Sequence, residues 1–351
     1  MVLTAPFAAV FGLLMIATTA SAHPHKATGH AKAALSARSG NTCGDAIARR
    51  AEGIASARRR HLHSRMLEDD SPLARRGLES RAKYPEIQNT SCVLAPDTVV
   101  GPYFVDGELY RRDVTEGEPG VPLYLDIGVL DMDTCEPLEN AFIDMWHCNA
   151  SGTYSGYTGI NPDTVEAYDG ECVTVRADGT TDDTTFLRGF TKTDASGIAE
   201  FLSIFPGYYS SRTTHIHITV HVNGTISEDG TNTLASSSIQ HVGQLFFEED
   251  LINQVYELDN YNAHLSTLDR VLNDEDSVYV DGNTGGYSAV ITTELLGDTL
   301  ADGLIGYITV TVNTTNIVDM SNTNPVGVIP TVSLAEGAEA SASAVDACEG
   351  L

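Results

Sequence analysis

The sequence predicts a mainly β protein, an antiparallel β-sandwich with one or two short helices and long loops. From about residue 84 the chain consists of short runs rich in Val, Ile, Thr and aromatic residues, separated by turns rich in Gly, Asp, Asn and Pro. Only one segment has a clear helical pattern, which favours packed sheets over helical or α/β architectures. The predicted strands are 121–130, 141–147, 197–205, 215–222, 288–295 and 305–312.

The connections between these strands include one helix. We predict it at 247–258, because acidic residues occupy its first turn, where the helix dipole favours negative charge. Residues 226–239 are polar and predict a loop. The acidic runs at 182–183 and 274–276 lack the ligand spacing of a calcium-binding loop, so we interpret them as solvated surface.

The segments outside this domain have a different composition. Residues 1–22 are uncharged and end in an Ala-Ser-Ala pattern that is typical of a signal peptide. The basic residue usually found near the start of a signal peptide is missing. The alternative interpretation of this segment is a buried helix. Residues 23–84 hold 13 of the 20 basic residues and predict a basic pro-segment or a flexible linker. Residues 333–351 predict a low-complexity tail, which leaves the β domain at 85–332.

Charge excludes some function classes. The whole chain has a formal net charge of −28, and residues 85–351 hold 42 of its 48 acidic residues. Such a surface repels phosphate, so we expect neither nucleic acid nor, after signal removal, a membrane as partner. Six cysteines suit an oxidising compartment, and we expect the mature protein to be secreted and extracellular. Sequons that make glycosylation possible begin at Asn89, Asn149, Asn223 and Asn313.

The strand predicted at 215–222 carries a candidate metal site. Because side chains alternate along a strand, His215, His217 and His221 share one face, while the apolar residues between them face the core. Two imidazoles on one face can bind a single metal ion, and imidazole suits iron, copper and zinc. On this pattern alone, a hydrogen-bonded or solvated histidine pair is an equal alternative.

Three further motifs accompany the histidine pair. They are GPYF at 101–104, WHCNASGTYS at 146–155 and PGYYSSR at 206–212, the last leading into the histidines. In this order they resemble the intradiol ring-cleavage dioxygenases, non-haem iron(III) enzymes that open catechols between the two hydroxyls. The resemblance covers about residues 95–260. A signal peptide, sequons and cysteines, with no helical dimerisation segment before the sandwich, resemble the secreted, fungal-type extracellular branch.

The resemblance implies which side chains bind iron. The ligands would be Tyr154, Tyr209, His215 and His217, with Tyr208 as the alternative to Tyr209. Phenolate is a hard anionic donor that suits Fe(III), and binding to a metal promotes loss of the phenol proton. The interval from Tyr209 to His215 is shorter than in the well-known bacterial enzymes, so we expect a different pocket wall there.

Two more residues acquire candidate roles from the resemblance. Arg212 would stabilise negative charge on the reacting substrate, and a surface or structural ion pair is its alternative role. Gln244 resembles a glutamine that approaches the substrate in the family, and its alternative is an ordinary amide at the core edge.

The implied function is cleavage of a catechol-type substrate with O2 to a cis,cis-muconate-type diacid. Two other functions stay open on the sequence. One is a zinc or copper enzyme that uses His215, His217 and His221. The other is a non-catalytic, secreted β-sandwich binding module. The physiological catechol, the oligomeric state and the cysteine pairing do not follow from the sequence.

Overall fold

Two four-stranded β-sheets form the centre of the molecule in the computed structural model. The structure describes residues 92–105, 107–159, 161–163, 182–228 and 232–318. The predicted signal peptide, basic segment and C-terminal tail lie outside these residues. None of the helices in the described part of the chain is long and apolar enough to span a membrane.

The chain passes from one sheet to the other several times. In chain order they are β1 (Pro122–Asp131), β2 (Phe142–Trp146), β3 (Arg188–Lys192), β4 (Ile198–Ile204), β5 (His215–Ile226), β6 (Leu234–Phe246), β7 (Thr292–Leu295) and β8 (Leu304–Val312). One sheet has the order β4-β1-β8-β7 and the other β3-β2-β5-β6. All pairs are antiparallel except β1 with β8.

The predicted helix is confirmed in a shorter form. Helix α1 spans Glu249–Val255, has Glu249 and Asp250 in its first turn, and buries Ile252 and Val255. A second α-helix, α2, spans Ser277–Gly282. Its position was not predicted, but two short α-helices in the described residues agree with the predicted fold class.

Each predicted strand overlaps an observed one, but two parts of the prediction are wrong. Strand β3 was not predicted, and the loop predicted at 226–239 contains the first half of β6, which begins at Leu234. This polar half of β6 pairs with β5, for example Val222 with Ser238. Because β6 is an edge strand of its sheet, its polar residues can contact solvent.

The core between the sheets explains which face of β5 is available for chemistry. Leu125 and Ile127 of β1 pack in the same apolar cluster as Ile216 and Ile218 of β5. This alternation leaves the histidines of β5 on the opposite, outer face of the sheet. A β-bulge after Val220 ends the regular alternation.

One disulfide ties the start of the described chain to the turn after β1. It joins Cys92 and Cys135, 43 residues apart, whereas Cys148 is buried and reduced. A crosslink over a loop of this length stabilises a protein mainly by restricting the unfolded chain. The other three cysteines lie outside the described residues.

Loss of this crosslink is expected to weaken the fold measurably. For Cys92→Ser combined with Cys135→Ser, we expect the free energy of unfolding to fall by about 2–4 kcal/mol. Urea denaturation with and without reductant measures the difference. Reductant lowers the midpoint of the unchanged protein and leaves the double variant unaffected; equal midpoints for both proteins in oxidising buffer contradict this role of the crosslink.

Candidate active site

The candidate site lies on the outer face of the sheet β3-β2-β5-β6. A second apolar cluster covers this face and includes Tyr103, Trp146, Tyr154 and Tyr209. Trp146 of β2 pairs with His217 of β5, and their rings stack with centroids 4.9 Å apart and an interplanar angle of 8°. The only tryptophan therefore forms a flat, apolar wall beside the histidine.

The turn before Tyr154 is built by two residues of its motif. The Oδ1 atom of Asn149 accepts hydrogen bonds from the backbone N–H groups of Ser151 and Thr153. Gly152 has a φ of +82°, a conformation that glycine adopts without steric cost. The turn directs Tyr154 into the apolar cluster, where its ring stacks on Tyr103 with centroids 4.3 Å apart.

A buried ion pair fixes the segments on either side of Tyr154. Arg188 of β3 donates to Glu108 Oε1 at 2.9 Å, to the carbonyl oxygen of Tyr103 at 3.0 Å and to that of Ser155 at 2.6 Å. Its side chain is 1% exposed and that of Glu108 is 3% exposed. No motif in the sequence indicates a role for Arg188. Its only sequence signal is that it is one of few basic residues within the acidic domain.

The PGYY segment shows which of its two tyrosines faces the histidines. Gly207 packs so closely on the turn after Trp146 that a Cβ atom would lie 2.5 Å from the carbonyl oxygen of Ala150. Tyr208 then donates from its hydroxyl to the carbonyl oxygen of Leu268 at 2.9 Å, away from the site. Tyr209 places its hydroxyl 3.1 Å from His215 Nε2.

The two histidines direct nitrogen atoms at the same point. His215 Nδ1 lies 2.6 Å from the carbonyl oxygen of Thr213, and since a carbonyl can only accept, Nδ1 carries the proton. The lone pair of His215 is therefore on Nε2, which lies 3.0 Å from His217 Nε2. Adjacent ligands at a right angle on one ion, with metal–nitrogen bonds of about 2.1 Å, are separated by about 3 Å.

Burial controls the protonation of these groups. It raises the pKa of Tyr154 well above its usual value and that of Tyr209 to about 12, and it lowers the pKa of His217 well below its usual value. The buried hydroxyl of Tyr154 also has no hydrogen bond of ordinary geometry. Two phenols and two imidazoles held this way fit a ferric ion, whose charge offsets the penalty of burying phenolates.

Arg212 lies at this site and is not a surface residue. Its side chain is 4% exposed, its Nε donates to Asp276 Oδ2 at 2.8 Å, and its NH1 group lies 3.4 Å from His215 Nε2. Its NH2 group donates to Gln244 Oε1, and Gln244 Nε2 donates to the carbonyl oxygen of Val99 at 2.9 Å. Gln244 thus reaches the site through Arg212.

The interpretation of both acidic runs as solvated surface is wrong in part. Asp276 is buried, because its carboxylate pairs with Arg212, a contact across 64 residues that the local sequence does not indicate. Asp182 is partly buried and accepts hydrogen bonds from Thr158 and Thr184. Only the exposed neighbours, such as Asp274, fit the prediction.

His221 does not join the other two histidines. Its ring nitrogens are bonded to Thr219 Oγ1 at 2.6 Å and to Ser237 Oγ at 2.7 Å. It lies four positions after His217 in the strand, a distance of about 13 Å. Within the described part of the chain, no three His, Cys, Asp or Glu residues form a group that could hold a metal ion. The zinc or copper alternative therefore lacks its third ligand here.

Comparisons with known proteins identify proteins of similar sequence and fold. Residues 99–255 match the family model described as Dioxygenase. The chain is similar to the structure of an intradiol ring-cleavage dioxygenase from Tetranychus urticae, with 26% identity, a TM-score of 0.51, and coverage of 65% of this chain and 98% of that chain. A crystal structure of the dioxygenase Tetur07g02040 is similar at 26% identity and a TM-score of 0.50, covering 67% and 99%. No curated protein matches the sequence. The chain is therefore similar to the intradiol ring-cleavage dioxygenases in both sequence and fold.

Proposed function

We propose that this protein is a secreted, non-haem Fe(III) dioxygenase that uses O2 to cleave catechol-type rings between their two hydroxyls, giving cis,cis-muconate-type diacids. The observation that supports it most is the convergence of Tyr209, His215 and His217, with donor atoms about 3 Å apart, beside the buried Tyr154. In this proposal these four side chains bind the ion.

The ion and the protein have separate tasks in this proposal. When bound, Fe(III) supplies Lewis acidity, which favours the anionic forms of the tyrosines and of the catechol. The protein supplies the rigid and largely dry surroundings. Trp146 and Tyr103 enclose the ligands with buried aromatic surface, which excludes bulk water and strengthens electrostatic interactions at the site.

Tyr209 is the candidate acceptor of a substrate proton. Its oxygen is within hydrogen-bond distance of His215 Nε2, and burial raises its pKa to about 12. An ordinary phenol has a pKa near 10. A Tyr209 side chain that is not bound to an ion therefore holds a proton at neutral pH, so Tyr209 Oη, once released from the ion, is a favourable site for a proton of the catechol.

Arg212 is the candidate electrostatic stabiliser. Its Nε and NH2 groups are occupied by Asp276 and Gln244, so NH1 is the part of the guanidinium that faces the histidine pair. A fixed positive charge here favours negative charge that develops on the ring during reaction with oxygen.

Export from the cell is supported by two features. The segment at 1–22 has the composition of a signal peptide, and the Cys92–Cys135 disulfide is of the kind that persists in oxidising compartments.

Colour and turnover together test the proposed function. Protein produced with iron is expected to show a visible tyrosinate-to-Fe(III) charge-transfer band that shifts when catechol is added without oxygen. With oxygen, a panel of catechol, protocatechuate and hydroxyquinol is expected to include at least one compound that yields the ring-opened diacid, identified by mass. A colourless protein with stoichiometric zinc or copper contradicts the iron site, and a coloured protein inert toward the whole panel favours the binding module.

The adjacent tyrosines provide a matched pair of variants for this test. Tyr209→Phe is expected to change the charge-transfer band, whereas Tyr208→Phe retains it and loses only a hydrogen bond to Leu268, worth about 1 kcal/mol. The reverse result assigns the ligand to Tyr208.

A further inference from the structure

We propose that Asp276 is a positioning residue for the reaction: it holds the guanidinium of Arg212 so that NH1 faces the histidine pair. The inference rests on the proposed function, in which Arg212 acts on the substrate. Asp276 lies outside the segment 99–255 that matches the family model, so that match assigns it no role.

The Asp276 carboxylate connects the site to a helix. Its Oδ2 atom accepts from Arg212 Nε at 2.8 Å and from the backbone N–H of Thr213 at 2.9 Å. Its Oδ1 atom accepts from the backbone N–H groups of Val278 and Tyr279, and so caps α2. With four donors and a fully buried side chain, the carboxylate has a single orientation.

The same segment is anchored a second time beside the site. Asn273 accepts a hydrogen bond from Thr213 Oγ1 at 2.8 Å and donates to the carbonyl oxygen of Phe247 at 2.8 Å. Thr213 in turn supplies the carbonyl oxygen that orients the ring of His215. The position of Asp276 is therefore fixed relative to the histidine pair.

Arg212 depends on this carboxylate for both its orientation and its partner charge. The guanidinium is held at Nε by Asp276 and at NH2 by Gln244. Burial disfavours both ions, but their mutual attraction outweighs it, raising the pKa of Arg212 and lowering that of Asp276. Without the carboxylate, the guanidinium loses its hydrogen bond at Nε and keeps only the one to Gln244, so NH1 can turn away from the histidines.

Asp276→Asn separates this role from helix capping. The amide oxygen still accepts from the N–H groups of α2, but the amide nitrogen then faces two other donors, Arg212 Nε and Thr213 N–H. We expect kcat for ring cleavage to fall by about 100-fold, the size of effect that a misplacement of roughly 1 Å produces. KM is expected to change little, because Arg212 acts on charge that develops during the reaction.

A double-mutant cycle shows whether Asp276 acts through Arg212. If it does, Asp276→Asn has no further effect on kcat/KM in an Arg212→Gln background. Independent, multiplicative losses in kcat/KM overturn the inference. Asp274→Asn, in the same acidic run but exposed, is the matched control and is expected to retain full kcat and KM.

A second readout does not require turnover. In the metal-free protein with 15N-labelled arginine, the Nε–H of Arg212, assigned by its loss in Arg212→Gln, is expected to exchange slowly with solvent. This protection is expected to persist in Asp274→Asn and to be lost in Asp276→Asn. Unchanged protection in Asp276→Asn overturns the inference. If the unaltered enzyme cleaves no catechol, the proposed function fails, while the exchange result still decides whether Asp276 positions Arg212.

If Asp276→Asn does not fold, Asp276→Glu takes its place. It keeps the charge and moves it by one methylene group, so a fall in kcat with unchanged iron content supports positioning. Full kcat in a folded Asp276→Glu protein overturns it.

Discussion

Tyr154→Phe is expected to remove the tyrosinate charge-transfer contribution of that ligand and to lower kcat/KM by more than 100-fold. Loss of a residue that merely supports a metal ligand already costs roughly 10–100-fold in activity or metal affinity, and a ligand itself contributes more. Visible absorption, iron content and ring-cleavage kinetics measure the three consequences. Full colour and full activity in this variant contradict the assignment of Tyr154 as a ligand, even within the correct family.

The structure makes this substitution specific. The Tyr154 hydroxyl interacts with that of Tyr209, and when it is removed the Tyr209 hydroxyl keeps its contact with His215 Nε2 at 3.1 Å. The phenylalanine ring retains the stacking on Tyr103. We therefore expect no loss of stability.

Tyr157→Phe is the matched control for Tyr154→Phe. Tyr157 lies in the same buried cluster and donates from its hydroxyl to the carbonyl oxygen of Phe104 at 3.1 Å. This variant is expected to lose about 1 kcal/mol of stability and to keep its colour, the opposite pattern to Tyr154→Phe.

Arg188→Met is expected to have the largest effect on stability, a loss of about 3–5 kcal/mol in the free energy of unfolding. The substitution preserves much of the side-chain volume but leaves Glu108 buried without its cation. It also removes the donors that bind the carbonyl oxygens of Tyr103 and Ser155. Urea denaturation followed by fluorescence and circular dichroism measures the change.

The control for Arg188 is an exposed ion pair. Arg112 is 65% exposed and lies 3.3 Å from Glu200, so Arg112→Met is expected to change stability by at most about 1 kcal/mol. Adding Glu108→Gln to Arg188→Met removes the unpaired charge and is expected to restore part of the loss. Equal losses for the Arg112 and Arg188 variants contradict a special role for burial.

The residues that the sequence could predict are those whose position follows from local rules. Strand alternation alone places His215 and His217 on one face and their apolar neighbours, Ile216 and Ile218, in the core, and the structure has this arrangement. The turn before Tyr154 also depends on nearby residues: Asn149 accepts hydrogen bonds within the turn, and Gly152 adopts a positive φ.

The partners that hold the site come from distant parts of the chain. Asp276 meets Arg212 across 64 residues, and Glu108 meets Arg188 across 80. The sequence of the acidic run at 274–276 predicts solvated surface, because the pairing of Asp276 with Arg212 exists only in the folded protein. The first half of β6 could not be predicted for the same reason. Its residues are polar and lack a strand pattern, and they adopt the extended conformation because they pair with β5.

The parallel pairing of β1 with β8 affects how the protein is made. Leu123 lies opposite Leu304, so the central strand of one sheet receives its neighbour only after nearly the whole domain has left the ribosome. Until then the nascent chain exposes an unpaired apolar edge of β1, a hazard for aggregation. The segment that matches the family model ends before β7 and β8, so it lacks the strand that pairs with this edge of β1.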